Sequence, residues 1–574
     1  MRHILNNRLF FTSILGISAM AAANAQNMAD ATRFGSTDIT GSARYMSMAG
    51  AMGAVGGDVS CMGDNPAGIA VLRGTNMMSF SPSLSLNRTT VNASLEHKIN
   101  KTDFAVDNLA YVASFKTPTC EHLVNFNVGV GFNHSAGTNR RYQMVLNNPR
   151  SSFGQYLATR SNNMLRYKGL MGDPGYMGDV NGGWEDNDFP LTAIFGYDCL
   201  AIDNRATGYG PGNKPLGFDG VEAYNTANPD GLVEGTFQRL KVWEQNRNDE
   251  YNISLSGNWD DMIYGGLTLS ISDFNSFVST EFNEDYQRNY AGPYTEYQND
   301  IETKGSGVNL KAGIIIRPSD AFRIGVAVHT PTWMHMTDIY SGRMITDAPE
   351  NTDYSGGGTY EYDYRYFSPW EYQVSFAAIL GRKGLISVEY DMKDFTSQKF
   401  YTDDYEWDTS IYDRTNSLMK DNAALQHTIK VGGEYRILPN LSARLGYAYR
   451  TSPFKSEMLQ GGVSRGFMDV DASRNPMPND DNTLLFDSST KPNYSLLDNQ
   501  QYITAGLGWR GEHWFIDLAF VNRMSNEVIA AYPTTDAYIG TRMSQDEADG
   551  AVKGDHIEMK SRVMDWNLTL GFRF

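Results

Sequence analysis

The chain ends in the stretch Trp566-Asn567-Leu568-Thr569-Leu570-Gly571-Phe572-Arg573-Phe574. Apolar side chains occupy every second position, and the positions between them hold polar residues or glycine. Because successive side chains of a β-strand point to opposite faces, this alternation predicts a strand with one apolar and one polar face. The apolar face runs to the final residue, with no polar tail behind it.

An apolar strand at a chain end has an unpaired edge, which promotes aggregation unless another strand covers it. A closed barrel in a membrane removes that edge and gives the apolar face lipid to contact. The stretch also resembles the closing strand of bacterial outer-membrane barrels. That resemblance implies that Phe572 and Phe574 act as an assembly signal for the barrel-assembly machinery.

Residues 1–25 have the features of a secretory signal peptide. Arg2 and Arg8 give a positive start, and a short apolar core follows them. Ala23-Asn24-Ala25 fits the small-residue cleavage pattern, so we expect the mature chain to begin at Gln26. The apolar core is too short to span a bilayer comfortably as a helix.

Composition excludes several function classes. The chain has 574 residues and a formal net charge of −18, which argues against nucleic-acid binding because that requires a basic surface. It has no run of 18 apolar residues, so no helical membrane span is expected. Cys61, Cys120 and Cys199 match no metal-binding or redox spacing. We therefore expect no metal and no cofactor, while a bridge between Cys61 and Cys120 stays open.

Alternating segments recur along the rest of the chain, separated by alternately short and long gaps. Short turns at one end and long loops at the other are typical of bacterial outer-membrane barrels, which also prefer an even number of strands. We predict 14 strands, at 76–87, 108–116, 123–134, 251–259, 262–271, 306–317, 321–329, 371–380, 384–391, 425–436, 440–449, 502–510, 513–522 and 563–574.

The fold class expected is therefore all-β, a 14-stranded antiparallel transmembrane barrel covering residues 76–574. Its largest extracellular loop is expected at 135–250, with Leu191–Tyr197 inside it as a helical or lid element. Charged residues on the polar strand faces, such as Lys311 and Lys430, should face the lumen because lipid contact is costly for them. A secreted β-sandwich is the soluble alternative, but it does not explain why short and long gaps alternate between the predicted strands.

Residues 26–75 precede the first strand and are long enough for a compact plug, or hatch, inside the lumen. A 14-stranded barrel would leak without one, because barrels slightly larger already leave an aqueous channel. Met46, Met48 and Met52 are candidates for ligand contact, because methionine is flexible and apolar. Asn65 and Pro66 fit the cap and first position of a short helix. Ordinary packing is the simpler explanation of the methionines.

Several motifs resemble those of the FadL-type outer-membrane transporters. The hatch of that family resembles Gly41-Ser42-Ala43-Arg44, Met48-Ala49-Gly50-Ala51, Asp58 and Asn65-Pro66-Ala67-Gly68. A mid-barrel hairpin resembles Leu310-Lys311-Ala312-Gly313, Arg317-Pro318-Ser319-Asp320 and Arg323-Ile324-Gly325, followed by His329-Thr330-Pro331. The resemblance implies uptake of long-chain fatty acids or other hydrophobic compounds across the outer membrane of a Gram-negative bacterium.

The resemblance also implies a mechanism. Asn65, Pro66, Ala67 and Gly68 would set the position of the hatch, and a kink in the third strand would open a lateral path into the membrane. Gly129 and Gly131 are the candidates for that kink, since strand glycines permit bulges. The expected partners are a hydrophobic small molecule and outer-membrane lipid, and the expected state is a monomer.

Two other functions stay open. A porin for hydrophilic solutes is the main alternative, and a structural or adhesive barrel is another. An enzyme is not expected: Gly462-Val463-Ser464-Arg465-Gly466 matches the G-x-S-x-G pattern, but it lies in a long polar segment rather than between a strand and a helix. His134, His329 and His427 have no evident nucleophile partner.

Overall fold

The structure is a computed structural model. It describes residues 27–118, 120–167, 191–203, 209–210, 214–215, 219–220, 236–286, 294–348, 351–381, 383–403, 409, 412–459, 491–533 and 554–574. The signal peptide expected at residues 1–25 and the G-x-S-x-G match at Gly462–Gly466 lie outside the described residues.

Seventeen strand segments form one antiparallel sheet in the described part of the chain. They are β1 (Met77–Asn92), β2 (Glu96–Lys116), β3 (Leu123–Asn147), β4 (Phe237–Trp259), β5 (Ile263–Asp285), β6 (Tyr294–Ile316), β7 (Phe322–His329), β8 (Trp333–Ala348), β9 (Asn351–Phe367), β10 (Trp370–Leu380), β11 (Gly384–Asp394), β12 (Lys399–Thr402), β13 (Leu425–Leu438), β14 (Leu441–Arg450), β15 (Tyr494–Arg510), β16 (Trp514–Ala530) and β17 (Ile557–Arg573).

The helices and remaining short elements lie before the sheet or in its connections. The α-helices among the described residues are α1 (Met28–Gly35), α2 (Ala43–Ser47), α3 (Phe153–Tyr167), α4 (Leu191–Asp198), α5 (Asp413–Asn422) and α6 (Ser456–Leu459). Short 3-10 helices cover Val59–Gly63, Pro66–Val71 and Phe395–Ser397. Two-residue ladders join Ile202–Asp203 to Asp219–Gly220 and Tyr209–Gly210 to Lys214–Pro215. No helix among the described residues is long and apolar enough to cross a membrane.

The sheet closes into a barrel of 14 strands, as predicted. Three of the 14 are interrupted part of the way along their length: β7 continues as β8, β9 continues as β10, and β11 continues as β12. Pro331 and Pro369 lie at the first two interruptions, where proline removes the N–H that a continuous ladder requires. The predicted strand at 563–574 pairs with β16 on one side and with β1 on the other, from Met77↔Arg573 to Val91↔Met559, which closes the barrel.

The outward face of β6 marks the boundary of the membrane. From Ile316 up to Val308 its exposed side chains are apolar, a span of the length that a tilted strand needs to cross a bilayer. Above Val308 the same face turns polar, and from Ser306 to Glu296 it carries serine, glutamine and charged residues. The barrel wall therefore extends well beyond the lipid, on the side opposite the short turns.

Strand ends were the main error of the sequence-based prediction. β3 continues to Asn147 and β4 begins at Phe237, so both ends of the predicted loop 135–250 are strand. The predicted loop 330–370 is largely the β8–β9 hairpin. The reason is a reversal of the pattern: inside the membrane the apolar face points outward, while above it the apolar face points inward, as at Tyr297 and Ile301.

Apolar side chains fill the part of the barrel above the membrane. Leu191–Tyr197 is helical, as predicted, and forms most of α4. It packs with α3 against the inner faces of the extended strands, where Phe153 contacts Phe282, Tyr297 and Tyr532 through its ring. This cluster caps the lumen from the outside.

Candidate functional site: the hatch and the wall it contacts

The segment before β1 lies inside the barrel as a hatch. None of residues 27–72 is exposed, although only short helices give this segment regular structure. Its backbone N–H and C=O groups therefore need partners elsewhere, because an unpaired buried backbone group is costly. The barrel wall supplies these partners, and it also makes room for the hatch backbone.

Room for the hatch comes from glycines on the inner wall, which we call the glycine belt. A Cβ atom at any of these positions would overlap a hatch atom: at Gly432 it would lie 2.5 Å from the Met48 carbonyl oxygen, and at Gly446 2.6 Å from the Ala49 nitrogen. The hatch thus lies directly against the wall backbone. The belt comprises Gly129, Gly131, Gly266, Gly313, Gly325, Gly432, Gly446 and Gly506.

Basic side chains of the wall donate hydrogen bonds to carbonyl oxygens of the hatch. Lys311 Nζ lies 3.0 Å from the oxygen of Gly63, Lys393 Nζ lies 3.1 Å from that of Gly35, and Arg450 Nη1 lies 2.7 Å from that of Thr37. Each of these cations is buried. Charged donors form stronger hydrogen bonds than neutral ones, so these contacts fix an otherwise irregular segment.

An ion-pair network anchors the hatch on the side of the short turns. Arg44 of α2 lies 3.0 Å from Glu434, which also accepts a 2.8 Å hydrogen bond from Arg444. Arg444 in turn contacts Asp517 at 2.6 Å. Arg444 is almost completely buried, so loss of any carboxylate in the network would leave an uncompensated buried charge.

The closing strand also contacts the hatch. Asn567 Nδ2 donates to the Gly41 carbonyl oxygen at 3.2 Å, and Thr569 Oγ1 accepts from the Ala43 N–H at 2.7 Å. The polar face of the carboxyl-terminal stretch is therefore part of the hatch site, while its apolar face meets lipid. Phe572 and Phe574 lie on or beside that outward face at the end with the short turns, where Phe572 packs 4.7 Å from Trp514.

The Asn65-Pro66-Ala67-Gly68 motif begins a 3-10 helix, as the sequence predicted. Asn65 is fully buried and caps this helix: its Oδ1 accepts from Ala67 N–H at 3.1 Å, and its Nδ2 donates to the Gly53 oxygen at 2.8 Å. Pro66 lies against Gly266 of β5, and Gly68 accepts a 2.8 Å hydrogen bond from Gly57 N–H. The motif thus joins two hatch segments to each other and to the wall.

The three candidate methionines have different surroundings. Met46 lines a small cavity beside β2 and β3. Met48 lies against Gly432 and Gly446 of the glycine belt, and Met52 is fully buried in the apolar core of the hatch. Of the three, only Met46 borders a cavity described below.

Gly129 and Gly131 lie in a regular part of β3. Their pairing with β2 is continuous, and both accommodate the Met62 side chain of the hatch. β3 breaks its register with β4 farther along, between His134 and Ala136. The bulged Ser135 accepts a 2.8 Å hydrogen bond from the backbone N–H of Asp38 in the hatch.

The wall separates at this bulge. β2 and β3 pair from Lys116↔Asn125 only as far as Asn108↔Asn133; beyond that point β2 pairs with β1, and β3 pairs with β4. On the lumen side of this separation lies a cavity that we call the lateral cleft, about 50 Å³ in volume. It is lined by Asp103, Ala105 and Asp107 of β2, His134, Gly137 and Asn139 of β3, and Asp38–Thr40 and Met46 of the hatch. The inner faces of β1 and β15–β17 complete the lining with Ser85, Asn87, Tyr502, Val521, Arg523, Val563 and Asp565.

Asp38 lies at the junction of three cavities. Besides the lateral cleft, it lines an upper cavity of about 160 Å³ near α1 and a central cavity of about 110 Å³ above Asp64. Its carboxylate forms an ion pair with Arg523, which lines the upper cavity and the lateral cleft. All three cavities have many charged and amide side chains on their walls.

Sequence reasoning identified the hatch motif and placed wall charges such as Lys311 in the lumen, but it did not identify the hatch atoms that they contact. The alternating pattern of apolar and polar residues does not show which hatch atoms the charged side chains of Lys393 and Arg450 contact. Cys61 is buried in the hatch and Cys120 is exposed near a turn, and both are free thiols. Within the described residues, no group of three or more histidine, cysteine or acidic side chains is placed to hold a metal.

The adjacent glycines Gly432 and Gly433 test the glycine belt. A methyl group at Gly432 meets the Met48 carbonyl, whereas at Gly433 the nearest atom is the Leu385 oxygen at 3.7 Å. We expect Gly432→Ala to displace the hatch and lower stability by about 1–3 kcal/mol, the usual effect of overpacking. Thermal unfolding and ion conductance in planar bilayers should both change. Gly433→Ala is the matched control. If it changed stability and conductance as much as Gly432→Ala, the proposed role of the glycine belt would be contradicted.

Asn65→Ala should loosen the hatch without opening the barrel. The variant loses the hydrogen bonds to Ala67 and Gly53, and the buried partners left behind cost about 1–3 kcal/mol. Hydrogen exchange of residues 53–71 should accelerate while the strands stay protected. Asn100→Ala, at an exposed strand position, is the control. Unchanged hydrogen exchange in the Asn65 variant would show that Asn65 does not hold the hatch in place.

Asp64 should make hatch anchoring pH-dependent. Burial raises the pKa of Asp64 to about 6; Lys430 opposes the shift and Asp391 adds to it. The folded protein therefore holds a proton that the unfolded chain releases near pH 4, so this group's contribution to stability falls as pH rises from about 4 to 6. Hatch exchange, corrected for intrinsic rates, should be slower at pH 5 than at pH 7.5. The difference should vanish in Asp64→Asn; its persistence there would assign it to another group.

The structure is similar to several solved structures. A Pseudomonas aeruginosa FadL homologue matches with a TM-score of 0.51 and 11% identity, covering 94% of this chain and 99% of that chain. The toluene transporters TodX of Pseudomonas putida and TbuX of Ralstonia pickettii match with TM-scores of 0.45 and 0.44, at 10% and 11% identity, each covering 93% of this chain and 99% of its own. No family profile and no curated protein matches the chain. The similarity to the FadL homologue supports the fold, a closed antiparallel barrel of 14 strands.

Proposed function

We propose that this protein takes up hydrophobic small molecules across the outer membrane and releases them sideways into the lipid. The observation that carries the proposal is the combination of a hatch that fills the lumen with a wall that separates between β2 and β3. A plug opposes free diffusion along the axis, and a lateral cleft offers a molecule with apolar surface a direct route to lipid.

The level of the cleft supports this route. Leu84 and Phe104 pair across β1 and β2 just above the last β2–β3 pair, and both are exposed on the outward face. Phe104 has 69% of its surface exposed, so lipid rather than protein covers it. An apolar molecule that leaves the cleft at this level enters the bilayer at once, and burial of its surface is favourable by about 25 cal/mol per Å².

The link between hatch and cleft supports a gate. Asp38 binds the bulge of β3 through its backbone and Arg523 through its carboxylate, so a shift of the hatch changes the inner side of the cleft. Asn65 and its motif hold the other end of the hatch against β5 and β6. We propose that this motif sets the resting position and that Met46 contacts the passing molecule.

The resemblance of the hatch and hairpin motifs to those of FadL-type transporters agrees with this proposal. A porin for hydrophilic solutes is the second candidate, because charged and amide side chains line the cavities around Asp38. The two candidates differ in conductance: a porin conducts ions steadily in a planar bilayer, whereas a plugged transporter conducts little.

Filling the lateral cleft tests the proposed route. Ala105 lines the cleft, whereas Ala113 lies on the part of β2 that pairs regularly with β3. We expect Ala105→Trp to reduce uptake of radiolabelled toluene or oleate at least tenfold, because the indole ring blocks the cleft. Ala113→Trp should leave uptake unchanged.

The assay uses cells that express the full chain in place of their own transporter for hydrophobic compounds. Surface amounts of both variants are matched before uptake is compared. Uptake by Ala105→Trp equal to that of the wild type would exclude the lateral route. Steady high conductance of the wild type would instead favour the porin.

A further inference from the structure

Two basic side chains meet an indole ring on the outer side of the separation between β2 and β3. Trp243 of β4 lies on the same outward face as the exposed Tyr251. Arg141 of β3 is its cross-strand partner, and Cζ of Arg141 lies 4.9 Å from the centre of the ring. Lys101 reaches the same ring from β2, with its Nζ at 5.7 Å. These three side chains bridge the separation, and we call them the Trp243 cluster.

The two cations of the Trp243 cluster are open to an anion. Within the described part of the chain, neither Lys101 nor Arg141 forms an ion pair, and Asp103 on the same face of β2 accepts a 3.3 Å hydrogen bond from Asn139. Arg141 is exposed and Lys101 is half-buried, so both are accessible. Other cations of the outer surface are already paired, such as Lys98 with Glu96 at 2.5 Å and Lys304 with Glu302 at 2.8 Å.

The edge of β2 beside the cluster offers backbone donors as well. No strand among the described residues pairs with this edge from Glu96 to Asp107, because β2 leaves β3 beyond Asn108 and pairs only with β1. Alternate residues of an antiparallel strand direct their N–H groups to opposite edges, so about half of the N–H groups here point towards the separation. The edge of β3 differs, since the Arg141 carbonyl accepts a 2.5 Å hydrogen bond from Thr89 of β1.

The cluster lies just above the hydrocarbon of the membrane. Phe104 has 69% of its surface exposed to lipid, and Lys101 is three residues farther from the short turns, about 10 Å along a strand. On β1 the outward face changes from apolar to charged between Leu86 and Arg88. Tryptophan and basic side chains are typical of this level, where lipid head groups lie. An anion bound here can therefore carry apolar chains that reach Phe104.

We propose that the Trp243 cluster and the free edge of β2 bind the phosphate head group of a membrane lipid. The two cations neutralise the phosphate, free N–H groups donate to its oxygens, and the acyl chains cover Phe104. A soluble anion has no such chains and is not concentrated at this level by a bilayer. A head group with more than one phosphate, as in lipid A, gains the most. The inference goes beyond the proposed function, because it assigns a bound lipid rather than a transported compound.

Native mass spectrometry of the full-length barrel tests the proposal. The protein is reconstituted in phosphatidylcholine nanodiscs that contain diphosphoryl or monophosphoryl lipid A, and the lipids that stay bound after release into detergent are counted. We expect the wild type to retain about tenfold more diphosphoryl lipid A than the double variant Lys101→Gln/Arg141→Gln. Monophosphoryl lipid A should be retained less than the diphosphoryl form. Equal retention by the wild type and the double variant would overturn the proposal.

The control variant has the same change in net charge. Lys98→Gln/Lys304→Gln removes two outward-facing cations that already pair with carboxylates, so lipid retention should not change. An equal loss there would reveal a general charge effect and would also overturn the site. The variant Lys101→Arg/Arg141→Lys keeps both charges and should still retain the lipid. Loss of lipid in this variant would instead assign the effect to disturbed packing of the wall.

Inorganic phosphate distinguishes a lipid site from a site for soluble anions. If added phosphate released lipid A from the wild type, a membrane lipid would be excluded as the preferred occupant. The assay measures bound lipid and not transport, so its outcome is independent of the Ala105→Trp test of the lateral route.

Discussion

The structure depends on one constraint: the backbone of an irregular hatch is buried inside the barrel, where its polar groups need partners. Secondary structure inside the hatch satisfies only part of this need. The wall satisfies much of the rest with Lys311, Lys393 and Arg450, whose charged ends reach hatch carbonyls. Those cations in turn need carboxylates or polar neighbours, because an unpaired buried charge is unstable. The polar lumen thus follows from the plug itself.

The same constraint explains why the two faces of the barrel differ so sharply. Lipid accepts no polar group, so the outward face within the membrane is apolar. The lumen has to hold charged donors and also let the hatch backbone approach, so it alternates basic side chains with glycines. Gly432 and Lys430 on β13 show both roles within three residues. Cavities remain where the hatch and wall do not fit closely, and these cavities take on the polarity of the lumen.

Much of the fold could be predicted from the sequence, because lipid contact gives each strand a strong alternating pattern. The 14 strands, their order and the closure between the last strand and the first all follow from it. The pattern reverses above the membrane, so strand ends such as Asn147 and Phe237 were missed. The cap formed by Asn65 was readable from residue types. The partners of Asp38 and Asp64 were not, because they depend on which wall residues face the hatch after closure.

The contacts of Asn567 and Thr569 with the hatch have a consequence for biogenesis. The strand that completes the barrel is also the strand that completes the seat of the plug. If the last strand paired with the first before the hatch entered the lumen, the side chains of Asn567 and Thr569 would lack their hatch partners. Barrel closure before hatch insertion is therefore disfavoured. Barrel closure and plugging are thereby coupled. An open, unplugged barrel, through which soluble contents of the periplasm would escape, is therefore disfavoured as an intermediate.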